Sequence, residues 1–266
     1  MTRFPVPRAI VFSDLDGCLL NHDYTYREAK PALACLRDWN VPVVLASSKT
    51  AAEMLSLAEA LDLDTPIICE NGGAIHWRGN QLLGQPDATV LGVPRPLILS
   101  KLSELAERFR FRSFTELGLE GIIKRTGLAP EQARRAAQRE TTEPLVWDDD
   151  EAKIPEFQER LRDASLTLTR GGRFWHVAGN VTKGDGMQTV LTSYRPQQNA
   201  NFQTLAIGDS PIDLPMLNQA DWAIVVPQPN GEVRIQPEHD RYDIATASGS
   251  TGWNDSVLRW IERSFS

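Results

Sequence analysis

The chain has 266 residues, 41% of them hydrophobic and 24% charged, with a formal net charge of −7. These values indicate a folded protein of one or two domains and disfavour a nucleic-acid partner, because phosphate backbones are bound by basic surfaces. With no apolar run of ~18 residues and no signal-peptide pattern in the sequence, we expect no membrane partner and a cytoplasmic location.

The first predicted element is a buried strand that ends in two carboxylates. Residues 9–12 (AIVF) form a short apolar run, which Asp14, Leu15, Asp16 and Gly17 follow closely. In an extended backbone, residues two apart point to the same side, so Asp14 and Asp16 would face one cleft. A simple turn is an alternative explanation, since Asp and Gly are common in turns, and this stretch alone does not decide between the two.

Strands and helices alternate along the next part of the chain. Apolar residues at helical spacing predict a helix over 26–39, and apolar runs predict strands over 41–46 and 66–69. Thr50 and Glu53 have the capping-box spacing, which predicts that a helix begins there. This alternation predicts an α/β fold with a Rossmann-like, doubly wound parallel sheet, which binds ligands at the carboxyl ends of its strands.

The pattern changes over residues 84–178, where helices are followed by a strand, a Gly171–Gly172 turn and a second strand. We interpret this segment as an inserted α+β cap domain, and residues 1–83 and 179–266 as the catalytic core. The predicted helices of the insertion are 94–109, 130–139 and 151–164.

The first pattern resumes after the insertion. A helix is predicted after Thr182, a strand over 204–207, a second strand over 223–226 and a closing helix over 253–265. The strand over 204–207 runs into the polar sequence GDSPID. Acidic side chains therefore follow a strand end here as well.

Four separate segments thus place polar side chains at one predicted edge of the sheet: Asp14 with Asp16, Ser47, Lys183, and Asp209 with Asp213. Clustered carboxylates form an oxygen-rich site that suits Mg²⁺. A lysine would neutralise the cluster and bind phosphoryl oxygens, and a serine hydroxyl would hydrogen-bond one of those oxygens. One carboxylate is then free to attack phosphorus, and another to transfer a proton.

The motifs SDLDGC, LASSK, Lys183 and GDSPID resemble, in this order, the four motifs of the haloacid dehalogenase superfamily of aspartate-nucleophile phosphatases. The resemblance covers nearly the whole chain, with the insertion in the place of the family's cap. Within the superfamily the chain resembles the Cof-like mannosyl-3-phosphoglycerate phosphatases. The segments that carry this narrower resemblance are SSKTAAEM, ENGGAIH, GIIKRTGL, AAQRETTEP and GGRFWHV.

The resemblance implies a Mg²⁺-dependent phosphomonoester hydrolase. Asp14 would attack the phosphate and form an aspartyl phosphate, while Asp16 would protonate the leaving group and then activate water. Mg²⁺ would be held by Asp14, the backbone carbonyl of Asp16 and Asp209, with Asp213 in support. The substrate would be mannosyl-3-phosphoglycerate or a related small phosphorylated sugar.

Six further side chains complete the predicted site. Ser47 and Lys183 are assigned to catalysis, and the substrate-binding candidates are Ser48, Lys49, Arg139 and Arg173. The two arginines belong to the predicted cap, and guanidinium groups bind carboxylates through two parallel hydrogen bonds. We expect them to bind a glycerate carboxylate or a sugar.

Two residues depart from the family's motifs. Cys18 stands where the first motif usually has Thr or Val, and Ile212 where the fourth often has Asn.

The sequence leaves alternatives to this hydrolase function open. They are a phosphomutase or phosphotransferase that uses the same aspartyl phosphate, and a non-catalytic module that binds phosphorylated sugars. A phosphatase of another sugar phosphate also fits, and the sequence specifies neither the exact substrate nor the oligomeric state.

Overall fold

The computed structural model describes residues 7–21, 23–79, 85–170, 174–194 and 202–265. The strands, in chain order, are β1 (Ala9–Ser13), β2 (Val43–Ala46), β3 (Ile67–Cys69), β4 (Ala74–His76), β5 (Ala88–Val90), β6 (Phe111–Ser113), β7 (Thr142–Trp147), β8 (Leu166–Arg170), β9 (Trp175–Gly179), β10 (Gln203–Gly208), β11 (Trp222–Val225) and β12 (Tyr242–Ile244). The helices are α1 (Lys30–Asp38), α2 (Ala51–Ala60), α3 (Arg95–Leu105), α4 (Phe114–Thr126), α5 (Pro130–Ala137), α6 (Ile154–Arg162), α7 (Lys183–Tyr194), α8 (Leu214–Leu217) and α9 (Gly249–Phe265).

Within the described residues, the large sheet has eight strands in the order β12-β11-β10-β1-β2-β3-β4-β5. Its first six strands are parallel, and β4 and β5 are antiparallel to their neighbours. Successive residues of β1 enter opposite cores, because Ala9 and Val11 pack with α1, α2 and α9, whereas Ile10 and Phe12 pack with α7 and α8. The predicted doubly wound α/β fold is therefore confirmed.

The small sheet is antiparallel, with strand order β6-β7-β9-β8. Helices α3 and α6 bury apolar side chains against it, among them Ile98 from α3 and Phe157 from α6. Strand β5, which the sequence analysis placed in the inserted segment, pairs with β4 in the large sheet instead. The division of the chain into a core and a cap remains a prediction.

Residues 111–126 form β6 and α4, which the sequence analysis did not predict. Gly118 has a left-handed backbone (φ +61°) that interrupts the helix, and this interruption disturbs the helical spacing of apolar residues. The sequence signal for the start of α4 was the capping-box spacing of Ser113 and Glu116. In the structure the Ser113 hydroxyl accepts a hydrogen bond from the backbone N–H of Glu116. In the described part of the chain, no helix has the length and apolar character required to cross a membrane.

Candidate active site

The carboxyl ends of β1, β2 and β10 and the start of α7 meet at one edge of the large sheet. Asp14 follows β1, and its backbone N–H donates to the carbonyl of Ile207 in β10 at 2.9 Å. Gly17 has a left-handed backbone (φ +82°), and a Cβ at this position would lie 3.0 Å from Oδ2 of Asp209. The turn after β1 therefore brings its backbone close to the acidic loop after β10.

Lys183 is the centre of the site's ion pairs. Its side chain is fully buried, and its Nζ lies 2.6 Å from Oδ1 of Asp14 and 2.6 Å from Oδ1 of Asp213. Burial alone would lower the pKa of Lys183, but the attraction of the two carboxylates outweighs burial and raises that pKa. Lys183 therefore stays a cation and holds both carboxylates in place.

Burial raises the pKa of two carboxylates at this edge of the sheet, Asp14 and Asp209. It raises the pKa of Asp14 above its ordinary value, although the positive charge of Lys183 opposes this shift. Burial also raises the pKa of Asp209, and the negative charge of Asp213 adds to the shift. A hydrogen bond of 2.7 Å from Nε2 of Gln228 to Oδ2 of Asp209 acts in the opposite direction. A cation between Asp14 and Asp209 would stabilise their ionised forms.

Asp213 fixes the loop that carries Asp209. Its Oδ2 accepts hydrogen bonds from the backbone N–H of Asp209 at 3.1 Å, and from the N–H and hydroxyl of Ser210 at 3.0 and 2.9 Å. A Cβ at Gly208 would collide with the Asp213 side chain, which explains the glycine. Both carboxylate oxygens of Asp213 are thus engaged by Lys183 and this loop. That it supports a metal remains a prediction.

Three buried residues could hold a divalent cation. Asp14, Cys18 and Asp209 each offer a ligand atom, and these atoms all lie within 4.8 Å of one another. The two carboxylates provide hard oxygen ligands of the kind that Mg²⁺ binds, whereas the sulfur is a soft ligand that Mg²⁺ does not prefer. Burial, and then the charge of Asp14, raise the pKa of the Cys18 thiol. The carboxylate oxygens of Asp14 and Asp209 therefore fit Mg²⁺, and water and substrate would supply further ligands.

The side chain of Asp16 lies outside this group of three. Its Oδ2 is 2.8 Å from Nζ of Lys49, and the Asp16 side chain is 45% exposed. Burial alone would lower the pKa of Lys49, but Asp16 raises it, and the ammonium lies 4.8 Å from the centre of the Tyr24 ring. Lys49, predicted to bind substrate, thus pairs with the proposed acid. Asp16 is thus accessible to solvent, and its role as a proton donor remains a prediction.

The loop after β2 carries the two predicted serines. The hydroxyl of Ser47 is buried and accepts a hydrogen bond from the backbone N–H of Lys49 at 3.3 Å. The carbonyl of Ser48 accepts a hydrogen bond from Nη1 of Arg139 at 3.2 Å. The structure therefore brings Arg139, from the inserted segment, to the loop beside the buried Ser47 hydroxyl.

His176 is a neighbour of Arg139 that the sequence analysis did not assign to the site. Burial, and then the positive charge of Arg139, lower the pKa of His176 to about 3, so the imidazole is neutral near pH 7. It lies in β9, opposite Pro144 and Thr169. No spacing typical of metal ligands surrounds His176 in the sequence, so only the fold shows that it lies near Arg139. Arg173, the other predicted cap arginine, lies outside the described residues.

Comparison with known proteins shows the family of this chain. The sequence profile of the haloacid dehalogenase-like hydrolases matches residues 11–89 and 130–237, which include Asp14, Lys183 and Asp209. The chain belongs to this hydrolase family. It is also 33% identical, over 264 residues, to the glucosyl-3-phosphoglycerate/mannosyl-3-phosphoglycerate phosphatase of Methanococcoides burtonii. That alignment covers 95% of this chain and 97% of the relative.

Solved structures share the fold over nearly the whole chain. A haloacid dehalogenase-like hydrolase from Bacteroides thetaiotaomicron superposes with a TM-score of 0.68 at 18% identity, covering 97% of this chain and 99% of that one. A haloacid dehalogenase-like hydrolase from B. subtilis gives a TM-score of 0.63 at 18% identity, with the same coverage of both chains. These superpositions show that the chain shares the fold of both solved structures.

Proposed function

We propose that this protein is a Mg²⁺-dependent phosphomonoester hydrolase that works through an aspartyl phosphate on Asp14. The observation that carries the proposal is the buried triad in which Lys183 lies 2.6 Å from both Asp14 and Asp213. A buried lysine that holds a strand-end carboxylate beside a second acidic loop suits a nucleophile that must approach a negatively charged phosphate. The membership of the hydrolase family supports the same chemistry.

The residues divide the work between nucleophile and proton transfer. One oxygen of Asp14 is bound by Lys183, which leaves the other to attack phosphorus. Asp16 is more exposed and follows two residues later, so it protonates the leaving alkoxide and then takes a proton from water. Lys183 and the Ser47 hydroxyl stabilise the phosphoryl charge.

Mg²⁺ would be held by Asp14, Asp209 and the backbone carbonyl of Asp16, and would neutralise negative charge as the nucleophile and the phosphate approach. Asp213 keeps the Asp209 loop in place through its hydrogen bonds to that loop's backbone. We therefore give Asp213 a positioning role in metal binding. Removing Mg²⁺ with a chelator should abolish turnover.

For the substrate we propose a glycosyl-3-phosphoglycerate, such as mannosyl-3-phosphoglycerate. The similarity to the Methanococcoides burtonii phosphatase supports this class, because it extends over nearly the whole of both chains. The placement of Arg139 at the Ser48 carbonyl also supports it, since a guanidinium beside the phosphate-binding loop suits the glycerate carboxylate. Such a substrate carries both a phosphate and a carboxylate on its glycerate.

The test is phosphate release from a panel of glycosyl-3-phosphoglycerates and simple sugar phosphates, with Mg²⁺ and with chelator. We expect Mg²⁺-dependent release that is fastest for the glycosyl-3-phosphoglycerates. Asp14→Asn should abolish it, whereas Asp62→Asn, at an exposed ion pair with Arg37, should not. Isomerised sugar phosphate without release would indicate a mutase, and binding without turnover would indicate a non-catalytic module. Either result would overturn the proposal.

A further inference from the structure

Glu70 is a buried carboxylate at the same edge of the sheet for which the proposed chemistry has no role. It directly follows β3, is only 2% exposed, and has a left-handed backbone (φ +51°), as does Asn71 (φ +59°). Non-glycine residues adopt this conformation rarely, and two in succession store strain. The surrounding contacts must therefore hold the turn in place.

The backbone of this turn is bonded to the active-site loop. The N–H of Glu70 donates to the carbonyl of Lys49 at 3.0 Å, and the N–H of Asn71 donates to the carbonyl of Ser47 at 2.9 Å. Ser47 and Lys49 are both assigned to the site. A movement of the Glu70 turn would therefore move the loop that binds phosphate.

The side chain of Glu70 points the other way, to the connection between α5 and β7. Its Oε1 accepts a hydrogen bond from the backbone N–H of Glu140 at 2.7 Å. Its Oε2 accepts from the N–H of Thr141 at 3.1 Å and from the hydroxyl of Thr142 at 2.5 Å. Several donors thus meet one buried carboxylate, and hydrogen bonds to an ionised acceptor are stronger than neutral ones.

Arg139 immediately precedes these donors and is connected to Glu70 through Thr142. The Thr142 hydroxyl donates to Glu70 and accepts from Nη1 of Arg139 at 2.8 Å. The same Nη1 donates to the carbonyl of Ser48 at 3.2 Å. Glu70 thus joins the loop after β2 to the arginine from the inserted segment.

We propose that Glu70 is a positioning residue that fixes Arg139 beside the phosphate-binding loop, so that the guanidinium meets the carboxylate of an anionic leaving group. The inference rests on the proposed function, because it assigns Arg139 to the leaving group of that reaction. Glu70 itself touches neither the phosphate nor the leaving group. Its effect on turnover passes through Arg139 and Thr142.

Two variants test this role. Glu70→Gln keeps the shape but places an amide before N–H donors, and Thr142→Val removes the connecting hydroxyl while leaving Glu70 in place. For a glycosyl-3-phosphoglycerate, each should raise KM about tenfold with a smaller change in kcat. The loss in kcat/KM should be about tenfold smaller for p-nitrophenyl phosphate, which has no carboxylate. Glu140→Gln is the matched control. The Glu140 side chain contacts His76, and Glu140 donates to Glu70 only through its backbone N–H, which this variant keeps.

A double-mutant cycle separates positioning from general destabilisation. If Glu70 acts through Arg139, then Glu70→Gln should add less than twofold to the loss already caused by Arg139→Gln. Amide exchange at Glu140 and Thr141 should also become faster in Glu70→Gln, because these two N–H groups lose their acceptor. Additive losses in the cycle, or equal losses on both substrates, would overturn the inference. A wild-type protein that releases no phosphate would instead overturn the proposed function, so the two failures are distinguishable.

Discussion

Replacing Lys183 by methionine should destabilise the protein as well as inactivate it. The lysine is fully buried and forms two ion pairs of 2.6 Å, with Asp14 and Asp213. Methionine fills similar space but supplies no positive charge. Lys183→Met therefore leaves two buried carboxylates within one small site and without their common cation.

The expected loss in the free energy of unfolding is about 3–5 kcal/mol, the range found when one partner of a buried ion pair is removed. The double variant Lys183→Met/Asp213→Asn should recover part of this loss, because only one carboxylate then lacks a partner. Lys153→Met is the control. That lysine is half exposed and pairs with Asp149 at 3.1 Å. The Asp149 carboxylate is little exposed but keeps hydrogen bonds from the backbone N–H groups of Arg110 and Asp150, so the loss of Lys153 should cost less than about 1 kcal/mol.

Urea denaturation of the three variants and the wild type, without Mg²⁺, measures these differences, and phosphate release measures activity. Equal stability of Lys183→Met and Lys153→Met would refute the reasoning, because it would show that the buried carboxylates do not need the cation. The same conclusion would follow if the double variant were less stable than Lys183→Met alone.

Three further predictions concern stability. Glu143→Ala removes the fully buried partner of Arg95 and should cost about 3–5 kcal/mol in urea denaturation, against less than about 1 kcal/mol for Asp148→Ala at a more exposed pair. Thr50→Ala removes the N-cap of α2 and should cost about 1–2 kcal/mol; an unchanged thermal midpoint would contradict this. Because the folded pKa of His176 is about 3, below the ~6.5 of an unfolded histidine, the unfolded state takes up this proton first as pH falls, and stability decreases. His176→Asn should therefore lose about 1–2 kcal/mol less than the wild type between about pH 7 and about pH 5, whereas equal losses would refute the assignment.

The strand ends of the large sheet could be predicted from the sequence because two signals coincide there. In β1 and β10, buried apolar runs end abruptly in acidic residues, and parallel strands place their carboxyl ends at one edge. Asp14, Lys183 and Asp209 therefore meet as the pattern suggests. Their catalytic roles stay predictions until activity is measured.

The connections across the site could not be predicted in the same way. Glu70 and Thr142 are 72 positions apart, and only the folded chain brings the carboxylate to the hydroxyl. The sequence position of Cys18 did not show that its sulfur lies within 4.8 Å of a carboxylate oxygen of Asp209. His176 lacks any ligand spacing, so only burial and the charge of Arg139 set it apart. Such tertiary contacts leave no local periodicity or motif.

The central claim is that Asp14 is the nucleophile, and peptide mass spectrometry of an acid-quenched reaction tests it most directly. Asp16→Asn, which should slow hydrolysis of the intermediate, would be mixed with Mg²⁺ and p-nitrophenyl phosphate, whose leaving group needs no proton from Asp16, and quenched within one turnover. We predict a phosphoryl group on the peptide that contains Asp14, absent from Asp14→Asn. Undiminished phosphate release by Asp14→Asn, with no phosphoryl group on that peptide in Asp16→Asn, would contradict the account.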